Sequence, residues 1–145
     1  FAAAFDGVLM ANKASIEGQG GHGVACVGDF GGALTLQRGT VVGGTGSGVE
    51  LASTMTIGKV ALKGGSVSGS VTGVKVVGAA DSGSSVQVAG ATVAGGTGNG
   101  VHAVAAFGGA LTVAGGSVTA GGNAVHFDAD TSQNVAFFST RFFKL

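Results

Sequence analysis

Apolar positions recur along this chain on a fixed ruler. The dipeptide Gly-Val returns as Gly23-Val24, Gly48-Val49, Gly73-Val74 and Gly100-Val101, with Ala124-Val125 as a variant, so successive Val residues stand 25, 25, 27 and 24 positions apart. Ten to twelve residues after each comes an alternating apolar pair: Leu34 and Leu36, Val60 and Leu62, Val86 and Val88, Leu111 and Val113, Val135 and Phe137. Five positions further on sits one central apolar residue, Val41, Val67, Val93, Val118 or Phe142, and the same ruler run backwards lands on Leu9, Ala11 and Ile16. Alternation of apolar with small or polar residues is the period-2 signature of short strands. Six copies obey the template, the first and last imperfectly.

Three short strands per repeat, at a repeat of about 25 residues, predict an all-β fold, a single-stranded parallel β-helix (β-solenoid) of five to six turns. Equivalent strands of neighbouring turns then stack at about 4.8 Å, and inward residues form columns. Two such columns are Val24, Val49, Val74, Val101, Val125 and Val41, Val67, Val93, Val118, Phe142. Only the stack buries them, at roughly 1.5–3 kcal/mol per Val or Leu. Pairs such as Gly43-Gly44, Gly64-Gly65, Gly95-Gly96, Gly115-Gly116 and Gly121-Gly122 fall where the coil turns a corner. Such corners need positive φ or close backbone approach. No ten-residue run carries a 3.6-residue stripe, so helix is not expected.

Composition agrees. Gly supplies 31 of 145 residues, yet there is no Gly-X-Y triplet and 45% of the chain is apolar, too much for a disordered segment. No Pro-rich, Ser-rich or charge-block linker interrupts the pattern, so residues 1–145 read as one domain. The opening FAAAF is too short and uncharged for a signal peptide. Phe137, Phe138, Phe142 and Phe143 gather near the other end, as either a cap or the next turn of a longer helix; we expect a fragment of a longer β-helix.

Net charge is zero, with seven acidic and seven basic residues scattered singly, which removes the clustered footprint of a nucleic-acid binder. No run approaches ~18 consecutive apolar residues, so membrane insertion of this segment is not expected. Cys26 is the single cysteine and no intrachain disulfide can form; alternation points it inward beside Val24.

The sequence assigns no catalytic, cofactor-binding or metal residue, and the chain reads as non-enzymatic. GQGGHG at 18–23 satisfies G-x-G-x-x-G and GGTGNG at 95–100 comes close, but a strand follows the first where dinucleotide binding needs a helix N-terminus. His102 and His126 take the same outward position in adjacent turns, near 5 Å apart on the rung spacing, with Asp128 two residues further on. Such a trio can hold a divalent metal, and two solvated imidazoles in a column is the commoner outcome. Glu50 and Lys75 share that outward column as a cross-rung ion pair. Asp6, Glu17, Asp29, Glu50, Asp81, Asp128 and Asp130 fall mostly in different sheets or corners, with only Asp128 and Asp130 close, which argues against a glycoside- or pectin-cleaving groove. Calcium repeats of the G-G-x-G-x-D kind are missing. Thr40, Ser66, Thr92 and Ser117 form a hydroxyl column beside the third-strand Val, as in ice-ordering arrays, but its second column is irregular.

The phrases GGALTVAGGSVTAGGNAVHF (108–127) and SSVQVAGATVAGGTGNGVHAV (84–104) resemble bacterial autotransporter passenger domains, most closely pertactin-like ones, over roughly residues 15–130. The resemblance implies a right-handed parallel β-helix, exported through the outer membrane of a Gram-negative bacterium and displayed at or released from its surface. It further implies an adhesin or virulence-factor passenger whose partner is a host protein, a glycan or another copy of itself. Near-absence of Cys is typical of such passengers, and Cys26 departs slightly from it. No Arg-Gly-Asp or G-D-S-G stretch is present, so neither integrin binding nor protease activity carries over. GGAL at 31–34 and 108–111 matches the chlamydial surface-protein repeat, whose companion F-x-x-N is missing. The competing classes are a filament-forming or ice-binding solenoid and a polysaccharide-active β-helix of tail-spike or pectin-lyase type.

Overall fold

Short alternating segments cannot bury an apolar face alone, so each strand takes its partners from the turns before and after it. The computed structural model describes residues 5–129 and 135–144, and within them the chain forms seventeen strands and no helix. Turn one comprises β1 (Val8–Asn12), β2 (Ser15–Gly18) and β3 (Val24–Cys26). Turn two comprises β4 (Ala33–Gln37), β5 (Thr40–Gly43) and β6 (Val49–Leu51), and turn three β7 (Lys59–Lys63), β8 (Ser66–Gly69) and β9 (Val74–Val76). Turn four holds β10 (Ser85–Ala89), β11 (Thr92–Gly95) and β12 (Val101–Ala103), turn five β13 (Ala110–Ala114), β14 (Ser117–Ala120) and β15 (Val125–Phe127). β16 (Val135–Phe138) and β17 (Arg141–Lys144) begin a sixth.

Every third strand pairs in parallel, giving sheets β1-β4-β7-β10-β13-β16, β2-β5-β8-β11-β14-β17 and β3-β6-β9-β12-β15. Their registers are the ones the ruler predicts: Leu9 opposite Leu34, Ile16 opposite Val41, Val24 opposite Val49, Val101 opposite Val125. Burial alternates accordingly, so the inward strand positions of the central turns are mostly Val and Leu, with Gly43, Gly69, Gly95 and Ala103 among them.

A further inward column went unrecognised in the sequence. Phe5, Phe30, Met55, Ala80 and Phe107 bridge one to the next in parallel at the corner between the three-residue and five-residue sheets. Phe30, Met55, Ala80 and Phe107 are buried, and the Phe5 and Phe30 rings stack at 5.8 Å. These residues repeat on the same ruler, but each stands singly in a loop-like stretch, without the alternation that marks a strand.

The corner after each strand of the β1-to-β16 sheet is built one way. Lys13, Arg38, Gly64, Gly90, Gly115 and Ser139 each follow directly on such a strand and each has positive φ. Backbone geometry here is set by the winding, and three non-glycine residues accept it. Gly43 serves the other purpose, close approach: a Cβ there would collide with the Ser47 carbonyl oxygen. Ile57 has φ 53° in an exposed loop, and β-branched residues are the least suited to that region. Relief of about 1–2 kcal/mol of steric strain outweighs the ~0.5–1 kcal/mol entropic cost of glycine. Ile57→Gly is therefore expected to raise the thermal midpoint by a degree or more, roughly what up to ~1 kcal/mol gives in a chain this size.

The last strands depart from one expectation. Phe142 pairs with Val118 and Phe137 with Val113, as the columns require, yet the two rings are 44% and 45% exposed. Among the described residues no strand stacks on their far side, and a column residue packed from one side only keeps half its surface in water. The two rings pack edge-on at 5.1 Å. Of the carboxylates singled out above, Asp130 lies outside the described residues.

Cys26 sits inside, 2% exposed, opposite Leu51. Burial pushes its thiol pKa up, because the thiolate loses hydration there. A thiol-specific disulfide reagent is expected to react only on unfolding, and labelling of the native protein at neutral pH would contradict this. The linkage sign follows from the raised pKa: Cys26 leaves stability unchanged below the ordinary thiol range and weakens folding as pH rises above it, until the folded thiol also ionises.

Candidate metal centre on the three-residue sheet

The outer face of β3-β6-β9-β12-β15 carries one residue per rung, because each strand has only a central outward position. In register these are Ala25, Glu50, Lys75, His102 and His126. All three histidines of the chain lie along this face, two in the column and His22 in the corner just before β3.

The lower half joins an ion pair to a chain of hydrogen bonds. Glu50 receives Lys75 Nζ at 3.7 Å on one carboxylate oxygen and His22 Nε2 at 3.5 Å on the other. Ser47 holds this arrangement twice, its backbone N–H donating to His22 Nδ1 at 3.0 Å and its hydroxyl to Glu50 at 3.3 Å. The Glu50–Lys75 pair is the one the sequence predicts; the part played by His22 was missed. Its signal was available, since His22 precedes Gly23-Val24 as Ser47 precedes Gly48-Val49.

In the upper half the predicted histidine pair is realised, ring centroids 5.2 Å apart and planes tilted by 43°. Asp128 follows β15 directly and its backbone N–H donates to the Ala103 carbonyl at 2.9 Å, which fixes the start of the turn. Its carboxylate meets both rings: His102 Nε2 lies 2.9 Å from Oδ2 and His126 Nε2 2.8 Å from Oδ1. The ligating atoms of His102, His126 and Asp128 all lie within 4.8 Å of one another. His126 Nδ1 is 3.2 Å from the side-chain amide of Asn123, a neighbour the sequence did not single out. Asn123 is held in turn by its backbone N–H, which donates to Asn99 Oδ1 at 2.9 Å.

A scan of protein-family models gives no match to this chain, and neither does a search of curated proteins or of solved structures.

Other sequence candidates fall where winding alone puts them. The G-x-G-x-x-G stretch at 18–23 runs from the end of β2 to β3, a strand, as expected. Thr40, Ser66, Thr92 and Ser117 do align on successive rungs, with Ser117 Oγ donating to Thr92 Oγ1 at 3.3 Å. The parallel outer column reads Glu17, Val42, Ser68, Ala94, Thr119, which breaks any regular two-column hydroxyl array. Asp6 and Asp81 follow Phe5 and Ala80 of the corner ladder, three rungs apart or roughly 14 Å by the strand spacing. That exceeds the ~5–9.5 Å separation at which paired carboxylates act on a glycosidic bond.

Proposed function

We propose that this chain is a non-enzymatic display scaffold: a passenger or stalk on the surface of a Gram-negative bacterium, binding a host protein or glycan through an outward sheet face. The observation that carries this reading is the segregation of the molecule. The inner columns are apolar and filled, while Glu50, Lys75, His102, His126 and Asp128 stand outward along one rigid face. A solenoid held this way presents a long, repetitive surface whose side chains vary without touching the core. Among the described residues, the depression lined by Thr92, Ser117, Ser139, Arg141 and Phe143 carries no carboxylate, which favours binding over hydrolytic chemistry there. Parallel in-register turns also suit export, since each emerging turn templates the next.

Labelling tests the placement. Antibody raised against residues 5–129 is expected to stain intact cells of the producing bacterium, and the parent reading frame to carry an export signal upstream and amphipathic barrel strands downstream. Staining only after lysis would sink the surface assignment.

A further inference from the structure

We propose that His102, His126 and Asp128 form a binding site for one divalent transition-metal ion, zinc foremost, which ties turn four to turn five. Two imidazole nitrogens and a carboxylate are the donor set of open zinc sites, in which three protein ligands leave a fourth position for water or a group from another molecule. Borderline nitrogen donors favour zinc, copper, nickel or cobalt over magnesium or calcium.

Three features make the trio more than a chance column. Both Nε2 atoms converge on the Asp128 carboxylate, one on each oxygen, and the three ligand atoms already cluster within 4.8 Å of one another. The frame is rigid: His102 and His126 are adjacent partners in parallel strands, and the Asp128 N–H is anchored on Ala103. The Asn123 amide stands 3.2 Å from His126 Nδ1 with its nitrogen toward the ring. Turned by half a rotation about its last bond, which exchanges oxygen and nitrogen in place, it accepts the Nδ1 proton and leaves the Nε2 lone pair for the metal. Exposure suits a reachable site, His102 16% and the other two 40%. The nearest cation in the column, Lys75, is drawn the other way to Glu50. The site also spans the solenoid's winding: its ligands are 26 residues apart in sequence at the extremes and one rung apart in space, so a bound ion adds a cross-link between turns already joined by sheet hydrogen bonds and the apolar columns.

Isothermal titration of the protein with zinc chloride is expected to give one ion per chain. His102→Ala and His126→Ala each lower the affinity by at least tenfold, Asn123→Ala by about tenfold through the lost orientation of His126, and Gln87→Ala on another sheet leaves it unchanged. Cobalt(II) added to the unsubstituted protein is expected to give the intense visible bands of a four-coordinate site, displaced by zinc. That measurement needs no variant, and Asp128→Asn, which keeps the backbone hydrogen bond to Ala103, is expected to weaken zinc binding and supplies a further test should a histidine variant fail to fold. Zinc binding weaker than millimolar, binding unaffected by loss of either histidine, or a pale six-coordinate cobalt spectrum would each overturn the proposal.

Discussion

Replacing Phe30 by Ala is expected to cost about 3–5 kcal/mol of folding free energy, the range for deleting a buried aromatic ring. Phe30 is 1% exposed, stacks nearly flat on Phe5 at 5.8 Å, and bridges Phe5 to Met55 in the corner ladder. Its ring also lies where a Cβ on Gly58 of the next turn would stand, 2.5 Å from Cδ1, so the void opens between turns and neighbouring backbone cannot close it without breaking sheet pairing. Phe30→Leu keeps most of the volume and is expected to cost under ~1.5 kcal/mol. Because a solenoid's stability is a sum over turns and their interfaces, hydrogen exchange should accelerate most in β1 to β6 and least in β13 to β15. Urea unfolding that places Phe30→Ala within 1 kcal/mol of the parent would show that the corner ladder is not part of the core.

The second large effect falls on a glycine. Gly73→Ala is expected to destabilise by about 1–3 kcal/mol through overpacking. A Cβ at Gly73 would stand 2.5 Å from Val93 Cγ1 and 2.7 Å from the Gly100 carbonyl oxygen, both in the next turn. The same clash awaits at Gly23 with Val41 and at Gly48 with Val67, each at 2.6 Å, so the Gly of every Gly-Val dipeptide answers to the Val that follows one turn later. The fifth turn has Ala124 instead, and the column residue above it is Phe142, exposed on one side. Val93→Ala should therefore relieve part of the Gly73→Ala penalty, and a double-mutant cycle reads the coupling. Strict additivity would contradict the contact.

The columns were legible because a parallel in-register stack repeats each position's environment once per turn. Leu34, Val60, Val86 and Leu111 face the same neighbours, so the sequence repeats with the structure. The corner ladder escaped notice because Phe30, Met55, Ala80 and Phe107 lack an alternating partner; only their spacing betrays them. Arg38 and Ile57 escaped for another reason, since positive φ is usually announced by glycine and here the winding imposes it on ordinary side chains.

The candidate site divides along the same line. His102 above His126, and Glu50 above Lys75, follow from the ruler, because within strands the register dictates what is adjacent. Asp128 reaching back across both imidazoles, Asn123 meeting His126 and His22 closing on Glu50 lie outside strands, where register no longer decides and only the path of the corner does. The sequence by itself determined the solenoid, its turns and its inward columns, since burial of a periodic apolar pattern admits one kind of stack. Tertiary structure alone decided which polar groups meet at its corners, because there the chain is held by single carbonyl contacts between turns and no local pattern encodes where a side chain will point.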